Sequence, residues 1–599
     1  MVIHSLIDLH VPSHTVTLGR RDPEYVTPIV KCLLRRRRTL RKKGRFEQAD
    51  KLAERINKII NKHRETSLSK LAEASPKDLW ASVNHKRKDT RIALRNGILL
   101  DCDSINQFFA NIATDSDYDI ERIKAFWNCE TTASNHEIFI NDYEVEPLLR
   151  HLKNTSPGVD CLPAWLFNRC SYELASIVAR IFNISFLTGQ VPNNWLSAVV
   201  TPIPKVPQPK HLNDFRPISV TPLLSRLAEK LIVTRWLRPA IPNENITDQF
   251  AFKPTGSTTC AIVYCMHHVT HLLETNNFVR CLCIDFSKAF DTVRHELLLP
   301  KLKKLPLLPS IFNWIISFLT GRSQVCKFDD KCSAPCFITS SIIQGSGIGP
   351  TLYIVMESDL HPLSCINIMF KYADDTNLLV PENSDVELND EYNHVLQWAS
   401  INGMKINVAK TKEIVFHRPC PIKFHMCSPI DGIERVRQIR LLGVIIQDNF
   451  NVDAHVNYIL SICSQRIFLM KKLRNQGLPC NQLQIVFQAL IISRLLYALP
   501  AWGSYLSAAL IGRIDAFLKR SFKYGLATTI LTVCELMDSA SRVLFDKMQK
   551  SGHCLYDILP MRDVNYICLR PRGHSFQLPN CLYDLFKKSF LNRCLFAYK

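Results

Sequence analysis

Residues 366–380 read INIMFKYADDTNLLV, and this stretch decides the fold. Ile366–Phe370 and Leu378–Val380 are apolar runs on either side of Asp374-Asp375. The pattern predicts two strands joined by a hairpin whose tip carries paired acids. Adjacent carboxylates between buried strands repel each other unless a cation neutralises them, so a metal site is the economical reading. Asp329-Asp330 offers a contrast within the same chain: it lies between lysines in KFDDK and reads as a solvated turn.

Upstream, residues 281–293 read CLCIDFSKAFDTV. Asp285 closes an apolar strand, and Phe290 to Lys304 then reads as a helix. A carboxylate at the end of one core strand can face a hairpin that bears two more. Such a cluster holds two Mg²⁺ about 3.5–4 Å apart. The alternative is a helix-capping acid, a role that Asp291 fits more naturally. Between the two acidic segments stands Gln344-Gly-Ser-Gly-Ile-Gly-Pro350. It lacks both the Gly-Lys-Ser/Thr of a phosphate-binding loop and the order of a dinucleotide fingerprint. Its glycines beside one glutamine suit close approach of backbone to a nucleotide and a template base, or else form a plain turn.

Further strands are expected at Ala198–Ile203, Arg280–Ile284, Ser340–Ile343, Ile366–Tyr372 and Asn377–Val380. They alternate with helical patterns such as Pro222 to Leu237, which gives an α+β domain with an antiparallel component. On the N-terminal side, residues 1–150 read as a basic, mostly helical region. Arg35 to Lys43 (RRRRTLRKK) is a positive block suited to nucleic-acid contact, nuclear import or a solvated helix face. Phe46, Ala49, Leu52, Ile56 and Ile59 or Ile60 recur at helical spacing. Beyond Leu441 the pattern is helical again: Leu483, Val486, Phe487, Leu490 and Ile491 share one apolar face, and Arg513 to Tyr524 forms another. The last 60 residues show no clear periodicity, and no internal repeat is evident.

At 599 residues the chain is long enough for three or four domains. Lys and Arg exceed Asp and Glu by 74 − 54 = 20, which suits either a polyanionic partner or a solvated basic surface. The 22 cysteines include no C-x-x-C pair. They read as reduced thiols of an intracellular protein, with Cys281 and Cys283 on one face of a strand. The N-terminus has no signal-peptide pattern. Ile485 to Trp502, the most apolar long stretch, is interrupted by Gln488, Arg494 and Pro500. It reads as a buried helix and not a membrane span.

The acidic and glycine-rich segments, in this order, resemble the palm of reverse transcriptases, above all those of non-LTR (LINE-type, Jockey/CR1-like) retrotransposons. Ser156-Pro-Gly-Val-Asp160, Thr201-Pro-Ile-Pro-Lys205, Asp214-Phe-Arg-Pro-Ile-Ser219 and Asp248-Gln-Phe-Ala-Phe252 support the likeness. So do Asn407-Val-Ala-Lys-Thr411, Leu441-Leu-Gly-Val444 and Tyr497 to Trp502 (YALPAW), so that it spans roughly residues 150–505. The resemblance implies a right-hand polymerase with fingers at 151–275, a ferredoxin-like palm at 276–447 and a helical thumb at 448–525. Within it the reverse transcriptase domain runs over about 185–447. Residues 1–150 and 526–599 are then N- and C-terminal extensions.

It further implies RNA-directed DNA synthesis: addition of dNTPs to the 3′-hydroxyl of a DNA primer on an RNA template, with two Mg²⁺ ions and Mn²⁺ as a substitute. Asp285, Asp374 and Asp375 become the metal ligands and catalytic acids. Lys205 and Arg216 resemble the cations that grip the triphosphate, while Gln344 and Gly345 line the nucleotide site. Lys410 resembles a lysine near the pyrophosphate, a proton donor. Phe290 stands where the family places an aromatic ring beneath the sugar, excluding a 2′-hydroxyl.

Three positions depart from the family pattern: Asp160-Cys161 where Asp-Gly is usual, Ala251 for a glycine, and Ser358-Asp359 for Asn-Asp. Residues 1–150 do not supply the endonuclease domain these elements usually carry, and no C-terminal zinc knuckle is visible. Endonuclease activity is therefore expected from another chain, with no membrane partner and a nuclear and cytoplasmic location. A decayed or co-opted nucleic-acid-binding protein is the alternative. A metal-dependent nuclease would share the acids without needing QGSGIGP or Phe290.

Overall fold

The computed structural model describes residues 101–127, 138–207, 209–328, 331–419, 427–562 and 574–598, with parts of 30–59. Asp329-Asp330, the N-terminal residues and most of the Arg35–Lys43 block lie outside the described residues. Two compact units are present. The larger comprises residues 92–462, 494–519 and 531–599; the smaller comprises 1–91, 463–493 and 520–530.

The larger unit is built on two sheets. In the first, β1 (Ser197–Pro204) pairs antiparallel with β2 (Phe215–Val220). The later strand β4 (Arg322–Phe328) runs parallel to β1, and β5 (Lys331–Cys332) and β6 (Cys336–Ile338) add to it. The second sheet runs in the order β10 (Glu434–Val436), β9 (Lys412–His417), β3 (Phe278–Ile284), β8 (Asp375–Pro381), β7 (Ile368–Tyr372). All its pairings are antiparallel except β10 with β9. β3 lies at the centre and β8 beside it, and both are almost continuously buried where a strand with one solvated face would alternate. A two-stranded ribbon of β11 (Gln438–Leu441) and β12 (Val444–Gln447) follows.

The helix Thr258–Leu272 lies against β7, where Tyr264 meets Phe250 and Phe370 at 5.0 and 6.3 Å between ring centroids. The helices Ser171–Thr188 and Pro309–Leu319 join through Phe186 and Trp314, whose indole N–H donates to Ser185 Oγ at 2.9 Å. The expected antiparallel sheet backed by helices is therefore present.

Two expectations need correction. Ser340–Ile343 is not a strand: Ser341 has φ of +93°, and the N–H groups of Ser341 and Ile342 donate to the carbonyls of Val293 and Phe290. Those carbonyls are thereby taken from any helix, and Lys288 is left-handed at φ +51°. The helix expected from Phe290 accordingly starts only at His295. Asp291 caps nothing; the N-cap position belongs to Arg294.

One helix among the described residues, Cys480–Tyr505, is long and apolar enough to cross a membrane. Leu483, Val486, Phe487, Leu490 and Ile491 on it are all buried, as a core helix requires. In the smaller unit, residues 47–59 are helical with Ala49 and Ile56 buried. There too the Lys471 ammonium sits 3.5 Å from the Tyr524 ring centroid. The stretch expected to lack periodicity ends in two short helices, Asp584–Lys587 and Phe590–Ala597.

Candidate active site: three aspartates facing four cations

The register of the second sheet brings the acids together. Ile284 pairs with Thr376 and Cys283 with Asn377. Continuing that register by one residue sets Asp285 opposite Asp375. Tyr372 pairs with Asp375 across the β7–β8 hairpin, so the tip residues are Ala373 and Asp374, with Ala373 left-handed at φ +57°. All three acids thus lie at one end of adjacent strands.

Their electrostatics fit a cation. Burial, then the charge of Asp285, holds the Asp374 carboxyl above its ordinary value. Asp375 reaches solvent, yet the surrounding protein, then Asp374 and Asp285, push it up to about 6. Asp285 Oδ2 is a buried oxygen with no hydrogen-bond partner; its neighbour is the Lys410 ammonium at 3.4 Å. Orphaned oxygens and mutually repelling carboxylates are what a bound divalent ion would satisfy.

The hairpin tip is held from below. Gln249 Oε1 accepts from the backbone N–H of Ala373 and of Ala251, each at 2.9 Å. Phe250 N–H donates to Lys371 O and Lys371 N–H to Asp248 O. The Lys371 ammonium is buried and pairs with Asp248 at 2.9 Å. Glu357, fully buried, accepts from Thr376 Oγ1 at 2.8 Å, and burial raises its carboxyl to about 8. It therefore stands neutral beneath the acids. Asp285 is fixed by the following segment, because Asn407 N–H donates to Asp285 O at 2.7 Å and Thr411 Oγ1 accepts from Asp285 N–H at 3.3 Å.

Opposite the acids stand cations. Lys205 and Arg216 flank the β1–β2 hairpin, with Arg216 paired to Ile203. Burial, then the like charges of Arg216, Lys410 and Lys288, lowers the Lys205 ammonium. All four side chains are exposed, and Arg216, Lys410 and Lys288 each lie close enough to Lys205 to repel it, an arrangement suited to a polyphosphate. Arg216 and Lys410 also act on Asp374, so cations and acids share one locale.

The QGSGIGP segment is docked on β2. Ser219 N–H donates to Gln344 O at 2.8 Å, and Gly345 has φ of +114°. A Cβ on Gly345 would stand 2.3 Å from Ser219 O. The next turn is pinned by buried Glu229, whose Oε2 accepts from the N–H groups of Gly347 and Ile348 at 2.5 and 3.3 Å. Gln344 Nε2 donates to Asp291 Oδ1 at 2.8 Å, and burial pushes Asp291 up to about 6 against that bond. Gln344 and Asp291 line a small cavity with Ser219, Pro217 and Ser341. Phe290 is half-buried, stacked on Tyr353 at 4.4 Å and edge-on to Phe252 at 6.5 Å.

The three aspartates, Lys205, Arg216 and Lys410 thus interact within one locale, and Gln344 and Gly345 dock on the strand that carries Arg216. Sequence reasoning missed Lys288, Glu229, Glu357 and Gln249. An acid among the apolar positions of the helix Leu223–Ile232 was the signal available for Glu229.

Residues 203–446 match the family described as reverse transcriptase (RNA-dependent DNA polymerase). The chain is 26% identical over 549 residues to the RNA-directed DNA polymerase from mobile element jockey of Drosophila funebris, covering 82% of this chain and 58% of that protein. It is 25% identical over 395 residues to a probable RNA-directed DNA polymerase from transposon BS of Drosophila melanogaster, covering 61% of this chain and 42% of that one. The chain thus spans about half the length of the curated relatives it matches. A solved telomerase from Candida tropicalis is similar at 11% identity and a TM-score of 0.31, with 66% of this chain and 73% of that one covered. The matched segment contains the acids, the cations and the glycine-rich turn. That segment is similar to the reverse transcriptase domains of non-LTR mobile elements.

Proposed function

We propose that the chain is an RNA-directed DNA polymerase, with fingers at 151–275, palm at 276–447 and thumb at 448–525. The observation that carries this reading is the placement of Asp285, Asp374 and Asp375 at one sheet end, facing four exposed cations. The reaction joins the 3′-hydroxyl of a DNA primer, paired to an RNA template, to the α-phosphate of a dNTP and releases pyrophosphate. Mg²⁺, with Mn²⁺ as a substitute, would be held by the three aspartates and would stabilise the charge on the attacking and leaving oxygens.

The chain's own residues do the rest. Lys205, Arg216 and Lys288 bind and orient the triphosphate, where a guanidinium offers bidentate contact. Lys410, beside Asp285, is positioned to give a proton to the leaving pyrophosphate. Gln344 and Gly345 form the floor on which the nucleotide and template base rest. Phe290, backed by Tyr353, occupies the space a 2′-hydroxyl would need. Primer extension with RNA template, DNA primer, dNTPs and Mg²⁺ tests this reading. Metal-dependent product is expected. Its absence from folded protein that still binds the duplex would instead support a co-opted binding protein.

A further inference from the structure

The helix Thr258–Leu272 begins beside a second cluster of donor groups. Ser257 caps it, accepting from Cys260 N–H at 3.1 Å, which places Cys260 in the first turn. Across from it lies the turn at 552–554. Ligand atoms of Cys260, His553 and Cys554 all lie within 4.8 Å of one another. Cys260 and His553 are buried and Cys554 is partly so. Thr255 fastens the two segments: its Oγ1 accepts from Cys554 N–H at 3.0 Å, and its carbonyl accepts from Cys554 Sγ at 3.3 Å and Cys260 Sγ at 3.8 Å.

We propose that Cys260, His553 and Cys554 form a soft-metal site for Zn²⁺ that ties the C-terminal extension to the start of this helix. Two sulfurs and an imidazole are the donor set that Zn²⁺ prefers, whereas Mg²⁺ prefers oxygen. Zn–S bonds of about 2.3 Å and Zn–N bonds of about 2.0–2.1 Å set tetrahedral donor separations of about 3.5–3.8 Å. The cluster needs only a modest contraction to reach them.

The chain supplies three ligands, and water takes the fourth position. His553 Nδ1 now accepts a 3.2 Å contact from Leu555 N–H. Metal binding gives up that contact whichever ring nitrogen coordinates, since binding at Nε2 moves the ring proton to Nδ1. Each thiol loses its proton to solvent on binding, and nothing is oxidised or reduced. The site is separate from the three aspartates in both position and ligand chemistry, so its role is to hold the extension in place.

The test uses the full chain, reduced and stripped with chelator, then loaded with Co²⁺ or Zn²⁺ in excess Mg²⁺. One equivalent of Co²⁺ bound, with thiolate-to-cobalt absorption and the visible bands of a tetrahedral ion, is expected, and Zn²⁺ should displace it. Cys260→Ser, or Cys554→Ser, should weaken Zn²⁺ binding by more than about 100-fold, beyond the loss of an outer-shell partner. His553→Gln should shift the visible bands while one equivalent still binds at raised metal concentration. Three results would overturn the proposal: no thiolate-to-cobalt band in the wild-type chain, the same band in the Cys260→Ser/Cys554→Ser double variant, or a Cys260–Cys554 disulfide isolated under reducing conditions. The wild-type spectrum decides the matter even where a variant fails to fold.

Discussion

Gly345→Ala separates two glycines that the QGSGIGP motif presents as equivalents. At φ +114° an alanine meets a strained backbone, costing about 1–3 kcal/mol. Its Cβ would also lie 2.3 Å from Ser219 O, a backbone atom that cannot swing aside. The loop must retreat from β2, breaking the 2.8 Å bond from Ser219 N–H to Gln344 O, worth about 1 kcal/mol. Together these disfavour the docked loop by at least about 2 kcal/mol, roughly a 30-fold fall in its population. Gln344 then leaves the site proposed for the nucleotide.

Gly347→Ala is the control: its Cβ would meet the Glu229 side chain at 3.4 Å and Arg226 O at 3.6 Å, ordinary contacts. In primer extension, Gly345→Ala should raise the KM for dNTP or lower kcat/KM by about 30-fold or more. Gly347→Ala should stay within a few fold of the parent, and both variants should melt as folded proteins. Equal effects, or an unaffected Gly345→Ala, would refute the argument that this backbone approach builds the site.

Three other outcomes follow from named contacts. Phe290→Ala should relax discrimination against ribonucleotides in competition assays, while Tyr353→Phe, which keeps the stacked ring, should not. Glu357 has its carboxyl raised to about 8 from an ordinary 4.5, so the folded chain holds a proton there that the unfolded chain releases. Its contribution to stability is complete below about 4.5 and is lost as pH rises toward 8, at about 1.4 kcal/mol per unit. Glu357→Gln should flatten that part of a denaturant-midpoint profile. Cys161 stands at φ +55°, a conformation that glycine adopts without strain, so Cys161→Gly should raise stability by about 1 kcal/mol in equilibrium unfolding.

Much of the site was legible because short continuous apolar runs mark buried strands. Apolar flanks placed Asp374 and Asp375 on a buried hairpin, and Asp285 closed a run that could only be a central strand. The Asp160-Cys161 departure also marked a real backbone constraint, since Cys161 is left-handed. The helix start was not legible. Nothing in AFDTVRHE announces that the carbonyls of Phe290 and Val293 are taken by residues 341–342. Glu357 and Gln249 stayed hidden for the same reason: each works through a partner distant in sequence, and no local period encodes that. The Cys260, His553 and Cys554 group escaped a search for C-x-x-C because folding, and not spacing, assembles it.

The central claim is that Asp285, Asp374 and Asp375 act together on a metal-bound nucleotide. Single-turnover extension by a pre-formed complex of protein, primer–template and dNTP, comparing the parent chain with Asp374→Asn, tests it most directly. The account predicts a rate loss of more than about 1000-fold, on the order of 4 kcal/mol, with duplex binding and melting unchanged. Extension by Asp374→Asn within about tenfold of the parent would contradict it.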